Sequence, residues 1–195
     1  MNNSDKIILD LCGGTGSWSA PYRSAGYDVR IITYPKYDVR TFEPPQNVYG
    51  VLAAPPCTDF SIACSRLWKL KDEDGRTAAS LEIVYACLDI INKCNPKFWA
   101  LENPIGRLKD YIGKPKEIYC YSQFGCDYQK KVCLWGEFIP PFRIFSGADD
   151  LPGLDCADKL FHDLPIGYQA AHSRRAARRS VTYPGFANAF YEFNN

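Results

Sequence analysis

No apolar run in the 195-residue chain approaches the ~20 residues a membrane span requires. The polar opening Met1-Asn2-Asn3-Ser4-Asp5-Lys6 has none of the character of a signal peptide, so the protein is expected to stay in the cytoplasm where it is made. Charge of one sign is not in excess: 23 Lys and Arg stand against 22 Asp and Glu, a formal net charge of +1. The overall balance therefore announces no polyanionic partner. Histidine is scarce, with only His162 and His172, and none of the nine cysteines forms a C-x2-4-C pair, so a structural zinc site is not expected. The odd cysteine count without an export signal argues for buried thiols in a reducing compartment rather than a disulfide framework. Internal repeats and low-complexity tracts are absent as well.

What is present is the composition of a globular protein, 46% hydrophobic and 23% charged. A chain of this length buries roughly 70% of its unfolded surface and reads as one domain, residues 1–195. Charge is uneven only near the end. Arg174, Arg175, Arg178 and Arg179 follow a stretch containing Asp149, Asp150, Asp155, Asp158 and Asp163. The arginine spacing suits a solvated helix face or an edge that contacts phosphates.

Apolar runs alternate with helical patterns. Ile7-Ile8-Leu9-Asp10-Leu11 reads as a buried strand ending in a glycine-rich turn, followed by a helix over 17–25 closed by Gly26. Strands are predicted at 28–32 and 48–53. Leu81, Val84, Tyr85, Leu88 and Ile91 place a helix over 77–94, stopped by Asn95-Pro96. Phe98-Trp99-Ala100-Leu101 is another buried strand, and 116–121 with 131–136 a final strand pair. This order predicts an α/β fold with a mostly parallel sheet and helices on both faces. From Glu137 to about Pro165 the pattern gives way to Pro, Gly and Asp, a long loop or insertion.

Open α/β sheets bind ligands at the carboxyl ends of their strands, and three such ends carry unusual residues. The first, Asp10-Leu11-Cys12-Gly13-Gly14-Thr15-Gly16, lets backbone approach a ligand closely, but lacks the Lys of a phosphate-binding P-loop and the third glycine of a dinucleotide fingerprint. A nucleoside-type cofactor without phosphates, such as S-adenosylmethionine, fits. The second, Ala54-Pro55-Pro56-Cys57-Thr58-Asp59-Phe60-Ser61, stiffens the chain with two prolines just before a cysteine, which makes Cys57 a candidate nucleophile. The third, Leu101-Glu102-Asn103-Pro104, ends an apolar strand with a carboxylic acid able to exchange a proton, and Asn103-Pro104 suggests a rigid turn aiming it inward.

In this order the three stations resemble the DNA cytosine-5 methyltransferase family. Asp10 to Trp18 is similar to its cofactor turn, Pro55-Pro56-Cys57 to its nucleophile loop, and Glu102-Asn103 to its catalytic pair. Phe124-Gly125 and Lys130-Lys131-Val132-Cys133-Leu134-Trp135-Gly136 resemble its basic segment near the target base. The end, from Arg179 to Phe190, resembles the terminal helix segment of compact phage-type members.

The resemblance implies a Rossmann-like, S-adenosylmethionine-dependent methyltransferase fold acting on cytosine in DNA, in a bacterial or phage-infected cell. Cys57, Glu102 and Asn103 would be catalytic. Asp10, Gly13, Gly14, Thr15, Gly16, Trp18, Thr33, Asp38, Pro55 and Asn188 would hold the cofactor. Pro56, Ser61, Lys130, Lys131, Arg174, Arg175, Arg178 and Arg179 would meet the substrate. Three positions depart from the family pattern: Cys12 stands where an aromatic precedes the glycines, Thr33 where an acid meets the ribose, and Thr58 where Gln follows the nucleophile. Ala54, before Pro-Pro, cannot accept a hydrogen bond from a target amine through its side chain, which disfavours amine methylation. The interval 137–178 replaces a target-recognition domain and is short for an independent one, since domains below ~40–50 residues rarely hold alone. Sequence reading is then expected from a partner or from oligomerisation. RNA or a pyrimidine nucleotide as substrate, and a catalytically weak binding subunit, stay open.

Overall fold

The computed structural model describes residues 2–126, 129–145 and 181–195. Six strands form one sheet: β1 (Ile7–Leu11), β2 (Asp28–Ile32), β3 (Val48–Ala53), β4 (Phe98–Pro104), β5 (Glu117–Cys120) and β6 (Lys131–Glu137). Their spatial order is β2-β1-β3-β4-β6-β5. The β1/β2, β1/β3 and β3/β4 pairs are parallel, while β6 runs antiparallel to both β4 and β5. From β1 the chain passes to β2 on one side and later to β3 on the other. The strand order thus reverses at β1, and in open α/β sheets the carboxyl ends flanking such a reversal, here those of β1 and β3, are where ligands bind. There Ala54 N donates to Leu11 O at 2.9 Å, holding the two strand exits side by side.

Five helices are described: α1 (Ala20–Ser24), α2 (Trp68–Glu73), α3 (Arg76–Cys94), α4 (Lys109–Ile112) and α5 (Pro184–Phe193). The sheet's two-residue alternation divides the core between its faces. Ile8, Leu52, Phe98, Ala100, Val132 and Leu134 join Tyr22 of α1 and Phe186 and Phe190 of α5. Leu9, Leu11, Val51, Ala53, Leu101 and Cys133 join Val84, Cys87, Ile90 and Ile91 of α3. Strands buried on both faces are apolar throughout rather than alternating. This is the doubly covered α/β sheet the sequence predicts.

Three local features differ from the sequence expectation. The helix expected over 17–25 begins only at Ala20, because Ser17 and Ser19 are turn residues whose hydroxyls serve other partners. On α3 the buried stripe is Thr77, Ser80, Val84, Cys87 and Ile91, at strict three- and four-residue spacing, and Tyr85 faces outward. Asn103-Pro104 is no turn: β4 continues through both, opposite Cys133 and Val132 of β6. The chain bends one residue later, at Ile105-Gly106.

Beyond β6 the chain leaves the sheet. Ile144 and Phe145 meet the 3-10 helix Tyr121–Phe124 that follows β5, through N–H donation to Gln123 O at 3.0 and 3.1 Å. On the far side of the interval 146–180, Thr182 N donates to Ser17 Oγ at 3.1 Å and Tyr183 Oη to Gly125 O at 2.8 Å. Phe145 and Tyr183 both lie 3.6 Å from where a Cβ on Gly125 would be. The four arginines Arg174, Arg175, Arg178 and Arg179, and most of the insertion expected at 137–178, lie outside the described residues. Among the described residues no helix is long and apolar enough to cross a membrane.

Candidate active site

At the end of β1 the backbone takes positive φ at Cys12 (56°), Gly14 (55°) and Gly16 (71°), which curls the chain over Asp10. A Cβ on Gly13 would fall 2.3 Å from Asp10 Cγ, so only glycine closes this turn. Gly14 faces the other way, with nothing within 4 Å of a Cβ placed there, and its N–H donates to Thr33 Oγ1 at 3.2 Å. Thr33, just past β2, therefore ties the second strand to the turn. Thr15 is half-buried in the same curl. Asp38 is partly exposed and gripped by Arg40, whose hydrogen bonds hold its carboxyl down to about 2.

Two of the residues expected at the cofactor are buried. Asp10 is 0% exposed and accepts from Ser19 Oγ at 2.5 Å, so it supports the turn from beneath. Trp18 is 2% exposed, edge-on to Phe190 at 5.5 Å, and belongs to the core under α5. Asn188 is exposed on α5, away from the buried Phe186, Ala187 and Phe190.

Burial pushes Asp10 up to about 6, opposed by Ser19 and Arg23. Its folded-state value lies above the ordinary 3.8. The associated stability is therefore fully present below about pH 3.8 and lost as the pH rises through about 6. Across that window wild-type stability should fall relative to Asp10→Asn, whose side chain does not titrate. Urea unfolding of both proteins between pH 4 and 7 measures the difference, and parallel curves would remove Asp10 as its source.

The Pro55-Pro56-Cys57 loop leaves β3 at the neighbouring strand end. Pro55 is buried, Pro56 exposed and Cys57 half-exposed. Cys57 O accepts from Phe60 N at 3.1 Å and from Ser61 N at 2.9 Å, closing a turn just after the thiol. Ser61, expected at the substrate, is buried instead. Its Oγ accepts from Ala63 N at 3.3 Å and caps the following 3-10 helix, and its backbone bridges to Gly106.

β4 brings the third station to this loop. Asn103 is fully buried and its Nδ2 donates to Pro55 O at 3.1 Å, so it fixes the loop from below. Glu102 is on the opposite face of the strand, nearly buried, with Oε1 3.7 Å from Lys130 Nζ. Lys130 in turn lies 4.9 Å over the ring of Tyr121. Lys131 is exposed at the start of β6. The structure thus joins Cys57, Asn103 and Glu102 through one strand end and one hydrogen bond, and adds Lys130 but not Lys131.

Sequence reading missed two buried cations. Lys71, 4% exposed, has Nζ 2.9 Å from Asp59 Oδ1 and also donates to Thr58 O. Arg107, 7% exposed, donates Nε to Asp59 O at 2.9 Å, pairs with Asp72 at 2.9 Å and donates Nη2 to Thr77 Oγ1 at 2.7 Å. Burial alone would raise the Asp59 carboxyl, but hydrogen bonds from Ser80 and Lys71 outweigh it and hold the group below its ordinary value. In sequence Lys71 sits in the run Lys69-Leu70-Lys71-Asp72-Glu73-Asp74, which reads as solvated surface.

Residues 9–129, more than half of the chain, match the family model for C-5 cytosine-specific DNA methylase, and the chain belongs to that family. No curated protein matches it. Among solved structures it is similar to one described as a DNA modification methyltransferase encoded within a prophage of E. coli, at 16% identity and a TM-score of 0.43. That match covers 68% of this chain and 46% of the other, so the chain spans about half the length of that relative.

Proposed function

We propose that the protein transfers a methyl group from S-adenosylmethionine to carbon 5 of cytosine in DNA through a covalent adduct on Cys57. The observation that carries this reading is the hydrogen bond from Asn103 to Pro55 O, which fastens the Pro-Pro-Cys loop to the strand end bearing Glu102.

Three features of the β1 turn support this cofactor: space is open beside Gly14, the turn has no lysine for phosphates, and Thr33 Oγ1 lies 3.2 Å from Gly14 N. Gly13, Gly14, Gly16 and Thr33 would hold the nucleoside, which supplies an electrophilic methyl group when bound. The chain's own residues act on the base. Carbon 5 of cytosine is a poor nucleophile because the ring is aromatic. The Cys57 thiolate adds to carbon 6, breaking the 5,6 double bond and giving carbon 5 enamine character. Glu102 hydrogen-bonds N3 and the exocyclic amine and offsets the charge that develops there as the thiolate adds. After methylation, loss of the C5 proton to a base and departure of the Cys57 sulfur restore the ring. Lys130, with Nζ 3.7 Å from Glu102 Oε1, lies at the same edge. Carbon 6 is inaccessible in a stacked duplex, so the target cytosine must be flipped out or single-stranded. Sequence choice would come from a partner or a second copy of the chain.

Binding is tested by thermal shift. S-adenosylmethionine or its demethylated product at 100 times the dissociation constant should stabilise the fold by roughly 2.7 kcal/mol. Gly14→Ala should weaken the response, because φ +55° strains any residue with a Cβ. Folded protein that responds to neither compound would refute the cofactor assignment. Nucleoside mass spectrometry of DNA and RNA from expressing cells identifies the methylated polymer.

A further inference from the structure

The peptide carbonyls of Thr58 and Asp59, the two that follow Cys57, are each capped by a buried cation. Lys71 Nζ donates to Thr58 O, and Arg107 Nε donates to Asp59 O at 2.9 Å. The cations are themselves fixed. Lys71 is paired with Asp59 Oδ1 at 2.9 Å, and Ser80 Oγ holds the other carboxylate oxygen at 2.5 Å. Arg107 spans Asp72 of α2 and Thr77 of α3, with its guanidinium 5.0 Å over the Trp68 ring. Its own backbone N–H donates to Phe60 O at 2.9 Å, and Ile62 N donates to Ile105 O at 2.9 Å. The turn bearing the nucleophile is thus stitched to β4's exit on one side and to α2 and α3 on the other.

Burying two cations is costly unless every charge is paired and every donor used. A surface loop that only had to stay folded could be held by apolar packing. Placing buried cations on consecutive carbonyls fixes peptide orientation instead, which is what aiming a sulfur at carbon 6 requires.

We infer that Arg107 and Lys71 are positioning residues, a two-point clamp that sets the direction of Cys57 and couples it to the segment between Cys57 and α3. This deepens the methyltransferase reading and rests on it. Neither cation touches the base; both act through the loop.

The test compares wild type with Arg107→Met, Arg107→Lys and Lys71→Met, each checked for folding by circular dichroism. Two readouts are taken. One is methyl-transfer kinetics on cytosine-containing DNA. The other is the alkylation rate of Cys57 by iodoacetamide, measured by peptide mass spectrometry relative to Cys94 on α3 in the same molecules. The Met variants should lose about 100-fold in kcat, as a small misplacement of a reacting group does, with KM for S-adenosylmethionine unchanged within about twofold. Their Cys57-to-Cys94 alkylation ratio should rise several-fold as the loop loosens, and Arg107→Lys should recover part of both losses. Where Arg107→Met does not fold, Thr77→Val removes one of the three guanidinium hydrogen bonds and should move both readouts the same way by less. An unchanged alkylation ratio in a folded variant overturns the clamp. So does a raised ratio with unaltered kcat, or a fall in kcat matched by a rise in KM. If the wild type itself transfers no methyl group, the methyltransferase reading fails while the alkylation ratio still decides whether Arg107 and Lys71 hold the loop.

Discussion

Replacing Cys57 with serine should abolish both methyl transfer and the denaturation-resistant complex with an oligonucleotide carrying 5-fluorocytosine. Fluorine cannot leave as a cation, so with cofactor present the wild-type adduct cannot eliminate and survives denaturation. A thiol with an ordinary pKa of about 8.5 is partly thiolate near neutral pH, whereas a serine hydroxyl remains protonated. Stability should change little, since Cys57 is half-exposed and serine is close to it in size and shape. Other thiols are poor substitutes. Burial pushes Cys133 and Cys94 up to about 11, and the neighbouring Cys12 thiol and burial together push Cys87 up. Glu102→Gln should slow adduct formation without abolishing DNA binding, because an amide still hydrogen-bonds but cannot share a proton. Denaturing gels of labelled duplex and peptide mapping of the adduct give the answer. An adduct on Cys64 or any other cysteine, or full methylation by the serine variant, would falsify the assignment.

Gly106→Ala is expected to have the next largest effect, from one methyl group. A Cβ at this position would lie 1.9 Å from Phe60 O and 2.9 Å from Ile62 N, both backbone atoms with no rotamer to escape into. The segments must separate, breaking the Ser61–Gly106 bridge and straining the bonds from Arg107 N to Phe60 O and from Ile62 N to Ile105 O. Overpacking of this kind costs about 1–3 kcal/mol. Activity should suffer more than stability, by about 100-fold in kcat, because the displaced atoms adjoin the nucleophile turn. Gly26→Ala is the control: at φ +85° with nothing within 4 Å of its Cβ, it carries a backbone penalty of about 1–2 kcal/mol far from the loop. Equal activity losses in the two variants would show that general destabilisation, not loop geometry, limits the reaction.

The sequence made the sheet legible because strands buried on both faces are largely apolar runs, and Ile7–Leu11 and Val48–Ala53 begin and end where those runs do, while the edge strand Asp28–Ile32 carries an exposed Asp28–Arg30 ion pair. The stations of the site were legible for a related reason. Glycines, paired prolines and a lone acid at strand ends are types that a merely structural turn does not require together. What could not be read was the direction in which side chains point. Trp18 and Asp10 lie in the turn's sequence yet are buried, Asp10 as part of β1 under the curl and bonded to Ser19, Trp18 against Phe186 and Phe190 of α5. Asn103-Pro104 resembles a stop signal, but β6 pairs with both residues and extends β4 past it. Lys71 and Arg107 were hidden by composition: a cation among other charges reads as solvated until a tertiary partner buries it.

Phe145 and Tyr183, which flank the interval 146–182, both lie near Gly125: Tyr183 Oη donates to its carbonyl, and Phe145 comes within 3.6 Å of where a Cβ there would be. The body of the protein therefore offers adjacent exit and re-entry points, already anchored by Gln123 O and Ser17 Oγ. For a chain segment that joins two fixed neighbouring points, each doubling of length adds only about 0.6 kcal/mol of closure entropy. The sheet and its strand ends are thus nearly insensitive to how much chain is spliced between these points. Chains that share this body can differ widely in length at this one seam and keep the same strand ends.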